Sequence, residues 1–229
     1  MNHPNYEGVL TAAALADPNN THTILLQLVG TGRTVLEVGC ATGYMTRVLV
    51  GRQNCRVTGF EINRDAAAGA KPFLQRVIVG DLEDPADVTQ IQSMYDVILI
   101  ADVIEHLAMP QEPLHTLRRF LSDEGRLIIS LPNVAHWSVR KALFFGHWDL
   151  ADRGLMDRTH LRWYTRDTAV TLLTSAGYQL VRHRASYVFP AHWRLRWGQR
   201  VAAWAQARTM PSAFDALFAI QNILVAGAA

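Results

Sequence analysis

The chain has 229 residues, of which 49% are apolar and 18% are charged, and these values indicate one globular domain, residues 1–229, rather than a disordered protein. The net charge of +2 gives no reason to expect a nucleic-acid partner. The two cysteines, Cys40 and Cys55, exclude a disulfide-bonded scaffold and favour the reducing cytoplasm.

Membrane, secretory and metal-site signals are absent from the sequence. The longest apolar run, residues 97–104, is interrupted by Asp102 and is far shorter than the roughly 20 residues that a membrane helix needs. The N-terminal residues lack the basic and apolar regions of a secretory signal. No CxxC or HExxH spacing occurs, so we expect no metal ion.

Short apolar runs alternate with amphipathic segments in the first half of the chain. The runs are continuous, as in VILIA, which is typical of parallel strands that are buried on both faces. The alternation predicts an α/β fold with right-handed crossovers. We predict strands at Thr34–Cys40, Arg56–Glu61, Arg76–Gly80, Tyr95–Ala101 and Gly125–Leu131, and helices at Tyr44–Gly51, Asp65–Ala70, Pro85–Ser93 and Pro113–Ser122.

The second half of the chain is less regular. Residues 132–165 are rich in Trp, His, Arg and Asp, and we predict an insertion there that contacts the acceptor substrate. Thr165 is predicted to cap a helix that runs to Ala176. We also predict strands at Tyr178–Val188 and Leu217–Ala226, and a helix at Trp193–Arg208 whose tryptophans either face the core or contact a membrane surface.

The sequence VLEVGCATGYMT, residues 35–46, contains the most informative motif. A predicted strand runs directly into Gly39, and the small residues that follow let a ligand approach the backbone and the start of a helix. Glu61 ends the second predicted strand, where an acid can accept both hydroxyl groups of a ribose. The sequence therefore predicts a nucleoside-binding crevice at the carboxyl ends of the strands.

Two cofactor classes compete for this crevice. A dinucleotide fingerprint, GxGxxG, would need glycine where this chain has Ala41 and Tyr44. Glu37 lies two residues before Gly39, where its carboxylate would repel a pyrophosphate and attract a cationic sulfonium or ammonium group. The charges favour S-adenosylmethionine over NAD, and an NAD-dependent oxidoreductase is kept as the weaker alternative.

These motifs resemble those of the class I S-adenosylmethionine-dependent methyltransferases. The resemblance implies a Rossmann-like sheet of seven strands in the order 3-2-1-4-5-7-6, mostly parallel with an antiparallel last strand, and helices on both faces. It also implies that the glycine loop binds the methionine end of the cofactor, GFEIN the ribose, GDLED the adenine, and the end of the fourth strand the methyl-donor region. The cofactor-binding residues implied are Glu37, Gly39, Cys40, Ala41, Gly43, Glu61, Ile62, Asp81, Leu82, Ala101 and Asp102.

The segments ADVIEHL, SLPNVAHWSVR and DRTHLRWYT are similar to those of bacterial small-molecule methyltransferases of the ubiquinone type and of polysaccharide or natural-product pathways. His106, His136 and His160 are candidates for a general base, and a packing or clasp role is the alternative for each. We expect methylation of a hydroxyl group on a sugar, isoprenoid-linked or natural-product acceptor. N- or C-methylation, a non-catalytic cofactor-binding module and homodimerisation stay open.

Overall fold

The computed structural model describes residues 10–188, 201, 204 and 212–229. Over these residues the strands form a seven-stranded sheet in the order β3-β2-β1-β4-β5-β7-β6. The first five strands pair in parallel, and β7 runs antiparallel to both β5 and β6. The implied fold is therefore confirmed. The strands are β1 Thr34–Val38, β2 Arg56–Glu61, β3 Arg76–Val79, β4 Tyr95–Ala101, β5 Leu121–Pro132, β6 Tyr178–Tyr187 and β7 Ala219–Ala228.

Helices cover both faces of this sheet. Alternate residues of β4 show the division, because Ile98 and Ile100 pack in one apolar cluster with α6 and α8, whereas Val97 and Leu99 pack in a second cluster with α2 and α3. The helices are α1 Ala12–Ala16, α2 Thr21–Val29, α3 Tyr44–Gly51, α4 Arg64–Ala70, α5 Pro85–Val88, α6 Gln111–Leu117, α7 Trp137–Phe144, α8 Arg166–Ser175 and α9 Ser212–Phe218, with 3₁₀ turns at Lys71–Phe73, Ile104–His106 and Arg118–Phe120.

Several element boundaries differ from the predictions. The predicted start of β5 at Gly125 is wrong, because the strand begins at Leu121 and Gly125 lies inside it at an irregularity in the pairing with β4. A Cβ atom at Gly125 would lie 2.8 Å from the carbonyl oxygen of Tyr95, so the glycine permits close backbone approach rather than marking an end. Other boundaries also differ from the predicted ones. The strands β1, β3 and β6 end earlier than predicted, helix α5 ends at Val88, helix α6 spans Gln111–Leu117, and strand β7 begins at Ala219.

Other elements were not predicted from the sequence. The short helices α1 and α2 precede β1, and α7 lies within the segment 132–165. The predicted helix Trp193–Arg208 lies outside the described residues apart from Val201 and Trp204. By contrast, Thr165 caps α8 as predicted, since its hydroxyl oxygen accepts a hydrogen bond from the Thr168 amide at 3.2 Å.

Asn133 holds the chain where it leaves β5. Its buried side-chain amide donates to the carbonyl oxygen of Ala219 at 2.8 Å, and its backbone N–H donates to Ile220 at 3.0 Å. Asn133 also forms an isolated bridge with Tyr164, and the Val134 N–H donates to the Tyr164 carbonyl at 3.0 Å. The segment 134–164 therefore leaves and returns at one point beside the carboxyl ends of the parallel strands.

We expect Asn133→Ala to lower the free energy of unfolding by about 1–3 kcal/mol, because the buried carbonyl oxygen of Ala219 and the part-buried one of Ala216 would lose their side-chain donor. Urea unfolding followed by circular dichroism would measure the change. Gln179→Ala, at an exposed position of β6, serves as the control and should shift stability by less than about 0.5 kcal/mol. Equal stabilities for the two variants would contradict the role of Asn133.

Candidate active site

The loop after β1 has a backbone that only glycine accommodates easily. Gly39 has a φ of 72°, and a Cβ atom there would overlap the Val103 side chain. Gly43 has a φ of 78° and starts α3, and a Cβ atom there would lie 3.1 Å from the Cα atom of Ala70. The loop is thus packed between neighbouring elements at the carboxyl end of β1.

Glu61 links this loop to the end of the second strand. One carboxylate oxygen accepts a hydrogen bond from the Ala41 N–H at 2.8 Å, and the other accepts one from the Asn63 N–H at 2.9 Å. The helix-capping contacts of α4 are made by the Asn63 side chain instead. Each carboxylate oxygen keeps further acceptor capacity, so Glu61 can hold the loop and still accept hydrogen bonds from a ligand's hydroxyl groups.

Glu37 is a buried acid directly beneath the loop. Only 4% of its surface is exposed, and its carboxyl accepts a hydrogen bond from the Thr46 hydroxyl at 2.6 Å. Burial, with a further contribution from Glu61, raises the pKa of Glu37 to about 7 against the opposing effect of Thr46. A cation placed beside this carboxyl would restore the charged form, which is the electrostatic property that a sulfonium or ammonium ligand requires.

The residues expected near the adenine have unequal environments. The Asp81 carboxylate accepts a hydrogen bond from the Glu83 N–H at 2.9 Å, and the Asp81 N–H donates to Asp87 at 2.9 Å. Leu82 is buried, whereas Ile62 is 64% exposed and offers an apolar surface at the end of β2. Cys40 is fully buried, and burial raises the pKa of its thiol, so it fills space behind the loop as an uncharged group.

Asp102 and His22 lie at the opposite side of the loop. Asp102 follows Ala101 at the end of β4, has a φ of 53°, and accepts a hydrogen bond from the Ser130 hydroxyl at 2.9 Å. His22 belongs to α2, and its Nε2 atom is 3.3 Å from the Tyr44 hydroxyl. Burial lowers the pKa of His22, while Asp102 partly offsets this. Sequence reasoning missed His22 because nothing in its local pattern distinguishes it.

A cluster of Glu105, His106 and His160 follows β4. Glu105 is 1% exposed, neither of its carboxylate oxygens has a hydrogen-bond donor among the residues that the structure describes, and Oε1 is 4.0 Å from His160 Nε2. The rings of His106 and His160 meet edge to face with centroids 4.9 Å apart. Two candidate bases that are far apart in the sequence therefore lie side by side.

Backbone contacts assemble this cluster. The Glu105 carbonyl oxygen accepts hydrogen bonds from the N–H groups of Leu161 at 2.9 Å and Arg162 at 3.1 Å. The Arg162 guanidinium donates to the carbonyl oxygen of Ala108. The segment DRTHLRWYT thus clasps the 3₁₀ turn Ile104–His106, as the alternative interpretation of that segment supposed, and in doing so brings His160 to the turn.

The protonation preferences of the cluster follow from its burial. Burial raises the pKa of Glu105 well above its usual value, and the negative charge of Asp102 adds to the effect. Burial and the neighbouring His106 lower the pKa of His160. The ligand atoms of Glu105, His106 and His160 all lie within 4.8 Å of one another, so their arrangement suits proton transfer and is also close enough for one cation. The expected absence of a metal stays a prediction.

His136 is engaged on both ring nitrogens. Its Nε2–H donates to the Val188 carbonyl oxygen at 2.9 Å, while Nδ1 lies 2.8 Å from the Ser138 hydroxyl. The side chain is 2% exposed and caps the first turn of α7. Burial lowers its pKa. These contacts give His136 the packing role that was the alternative to catalysis and leave no ring nitrogen for an acceptor.

Comparison with known proteins agrees with this geometry. Residues 13–183 match the sequence model of a family described as a methyltransferase domain. Over 110 residues the chain is 26% identical to the malonyl-[acyl-carrier protein] O-methyltransferase of Anoxybacillus flavithermus, which covers 48% of this chain and 42% of that protein. It is 28% identical over 104 residues to the mitochondrial ubiquinone biosynthesis O-methyltransferase of Schizosaccharomyces pombe, covering 43% of this chain and 38% of that protein.

The alignments thus span about two fifths of the length of these curated relatives. A solved structure with a similar fold is magnesium protoporphyrin IX methyltransferase from Synechocystis PCC 6803 with bound SAH, which is S-adenosylhomocysteine. It superposes with a TM-score of 0.60 at 14% sequence identity, covering 100% of this chain and 90% of that chain. At this identity the likeness shows the fold, and the glycine loop and its acids carry the cofactor argument.

We expect Glu37 to contribute a loss of stability to the ligand-free protein as the pH rises from about 4.5 to about 7, because the folded state holds the Glu37 proton more tightly than the unfolded state. Glu37→Gln should remove this contribution, so the difference in unfolding free energy between the variant and the wild type should change by up to about 3 kcal/mol across this range. Thermal unfolding across that pH range measures the effect. The matched control is Glu124→Gln at an exposed position of β5, and a profile that Glu37→Gln leaves unchanged would contradict the buried-acid assignment.

Proposed function

Because this chain belongs to the methyltransferase domain family, as its glycine loop and acidic residues predict, we propose that it transfers the methyl group of S-adenosylmethionine to a hydroxyl group of a small molecule. The main support is the buried Glu37 carboxyl beneath the tightly turned glycine loop, since a buried acid at this place favours a cationic ligand over a pyrophosphate. An NAD-dependent enzyme would instead need a site that favours the negatively charged pyrophosphate.

The cofactor is assigned to the crevice formed by the ends of β1, β2, β3 and β4. The Glu61 carboxylate accepts the ribose hydroxyl groups, and the exposed Ile62 side chain and Leu82 border the adenine beside Asp81. The loop backbone from Gly39 to Gly43 lies against the methionine end. Glu37 and Asp102 supply negative charge on that side, and Ala101 and Asp102 lie where the methyl group is presented. The proposed cofactor-binding set is the set that the resemblance implies, with the Cys40 side chain behind the loop rather than against the cofactor.

We assign the general base to His106. Its Nδ1 atom lies 3.1 Å from the carbonyl oxygen of Thr159, and a carbonyl oxygen can only accept, so neutral His106 must carry its proton on Nδ1. The Nε2 atom then presents its lone pair, and the side chain is exposed to an incoming acceptor. His160 packs against the His106 ring and is assigned to position it.

The reaction is an in-line displacement at the methyl carbon. His106 Nε2 takes the proton of the acceptor hydroxyl, the oxygen forms a bond to the methyl carbon, and the carbon–sulfur bond breaks with its electron pair returning to sulfur. The products are a methyl ether, neutral S-adenosylhomocysteine and protonated His106. Alignment of donor and acceptor supplies up to roughly 7–11 kcal/mol in well-oriented systems, and the base adds about 10²–10⁴-fold.

The curated relatives support oxygen as the acceptor atom, because both are named O-methyltransferases. Their acceptors differ from each other, so the acceptor of this chain is proposed only as a small molecule with a hydroxyl group, such as a sugar, an isoprenoid-linked compound or another natural product. Nitrogen and carbon acceptors are the alternatives, and they would give a product without a new methyl ether.

We expect Glu61→Ala to weaken S-adenosylhomocysteine binding by about 1–3 kcal/mol, because both the ribose contacts and the hydrogen bond that holds Ala41 would be lost. Isothermal titration calorimetry measures the change. Glu61→Gln keeps one acceptor oxygen and should lie between the wild type and Glu61→Ala. Unchanged affinity in Glu61→Ala would refute the ribose assignment.

We expect His106→Gln to reduce kcat by about 10²–10⁴-fold while leaving S-adenosylhomocysteine affinity unchanged, because the base acts on the acceptor. The measurement is S-adenosylhomocysteine release with an acceptor found by screening phenols, catechols and sugars. His115→Gln, at an exposed position of α6, is the control.

Two outcomes of the same assay would contradict this assignment. Full turnover by His106→Gln would exclude His106 as the base. Loss of wild-type turnover on chelation, with recovery on adding Mg²⁺, would assign the Glu105, His106 and His160 cluster to a bound cation instead. His160→Gln tests whether His160 only positions His106. It should lower kcat less than His106→Gln does, and it should leave the pH dependence of kcat unchanged.

A further inference from the structure

Five large apolar side chains are exposed within eight consecutive residues at the end of α7. They form the aromatic tip, which consists of Leu143, Phe144, Phe145, Trp148 and Leu150. Phe144 is 84% exposed and Phe145 is 63% exposed. Contiguous exposed apolar residues of this size mark an interaction surface rather than ordinary surface composition.

Hydrogen bonds hold the aromatic tip in this exposed position. Gly146 has a φ of 79°, and its N–H donates to the Leu143 carbonyl oxygen at 2.9 Å. The His147 N–H donates to Ala142 at 2.9 Å. These bonds close the C-terminal turn of α7, and the rings of Phe144 and Phe145 pack edge to face with centroids 5.2 Å apart. The exposure is thus built into the backbone of the turn.

Positive charge accompanies the aromatic tip. Helix α7 carries Arg140 and Lys141, both exposed, and no acidic residue. Two acidic residues lie nearby: Asp149, which is exposed within the aromatic tip, has a carboxylate oxygen 3.8 Å from His147 Nδ1, and Asp152 forms an ion pair with Arg158 at 2.8 Å. Long basic side chains beside exposed aromatic and leucine side chains are the pattern that binds the interface of an anionic lipid bilayer.

The size of the aromatic tip favours a lipid surface over a second protein. A stable protein–protein interface uses roughly 20–30 residues on each side, whereas the aromatic tip offers five large apolar side chains on one turn. A bilayer needs no matching surface and accepts a small apolar projection. Among the described residues no helix is long and apolar enough to cross a membrane, so contact of this kind is confined to the interface.

The aromatic tip also adjoins the candidate active site. The Trp148 ring packs edge to face on Trp163, with centroids 5.5 Å apart. Trp163 follows His160 in the segment that clasps the 3₁₀ turn Ile104–His106. A surface that receives the aromatic tip would therefore lie beside the acceptor side of the molecule.

We propose that the aromatic tip docks this protein reversibly on the surface of an anionic membrane. Phe144 and Phe145 enter the boundary between headgroups and acyl chains, Trp148 and Leu150 widen the apolar contact, and Arg140 and Lys141 stay at the level of the lipid phosphates. This docking does not depend on methyl transfer, so it is tested separately from the proposed reaction.

The test is co-sedimentation of the full chain with vesicles of phosphatidylcholine alone or of phosphatidylcholine with phosphatidylglycerol. We expect binding to the anionic vesicles that weakens as salt is added. Phe144→Asp should reduce the partition coefficient by at least about tenfold, because it removes apolar contact and adds a repelled charge. Arg140→Gln with Lys141→Gln should reduce it by roughly fivefold for each cation.

Met94→Asp is the matched control, because Met94 is also exposed, at 54%, but precedes β4 at the amino ends of the strands. It should bind vesicles as the wild type does, and calorimetry with S-adenosylhomocysteine should show that all variants keep the folded cofactor site. Equal sedimentation with and without anionic vesicles would overturn the proposal.

Two further outcomes would also overturn the proposal. One would show that the aromatic tip binds another molecule, and the other would show that a different segment binds the membrane. If Phe144→Asp converts a dimer to a monomer while vesicle binding is absent, the aromatic tip contacts a second copy of the chain. If vesicle binding survives Phe144→Asp but is lost in Trp197→Ser, the membrane contact belongs to the tryptophan-rich sequence 189–211.

Discussion

Two acids buried at the ends of neighbouring strands determine how the candidate site works. Glu37 and Glu61 are almost fully buried, and each lies close enough to the other for Glu61 to help raise the pKa of Glu37. The Glu61 carboxylate accepts hydrogen bonds from two backbone N–H groups, whereas the Glu37 carboxyl accepts one from a hydroxyl group. The buried Glu37 carboxyl therefore lacks part of the stabilisation that its charged form needs, and a cationic group beside the glycine loop can supply it.

The segment between β5 and α8, which we propose as the acceptor side, depends on a different kind of constraint. It is held at its base by Asn133 and Tyr164, at α7 by the contact of His136 with Val188, and at the 3₁₀ turn by the carbonyl oxygen of Glu105. Each of these contacts uses a backbone carbonyl oxygen as the acceptor, so they depend little on the side chains between them. Substitutions between these points can therefore accumulate without loss of the fold.

Local sequence patterns predicted the sheet well and the irregular segments poorly. The bounds of β2, β4 and α3 are those expected, because their apolar periodicity ends at residues that change the backbone conformation. The start of β5 was misplaced because Gly125 reads as a turn residue although it serves a close backbone approach within the strand. Helix α7 was missed because its last two apolar residues, Leu143 and Phe144, are exposed while Val139 is buried, which departs from the amphipathic pattern on which helix prediction relies.

The cluster of Glu105, His106 and His160 shows a further limit of prediction from local sequence patterns. The glycine loop, Glu37 and Glu61 could be predicted because each lies at or beside the carboxyl end of a strand and so at a known edge of the sheet. The approach of His160 to Glu105 depends on hydrogen bonds between segments more than fifty residues apart, and no local pattern reports such a pairing. The same holds for His22, which α2 brings to Tyr44.

Asp102 has a consequence for any attempt to make this protein more robust. Its left-handed backbone, with a φ of 53°, costs a non-glycine residue on the order of 1 kcal/mol. Glycine at this position would relieve that cost. The same exchange would delete the acceptor of the buried Ser130 hydroxyl and the negative charge near His22 and His160. The gain in backbone freedom is therefore set against a lost hydrogen bond and against the role that we propose for Asp102 beside the cofactor.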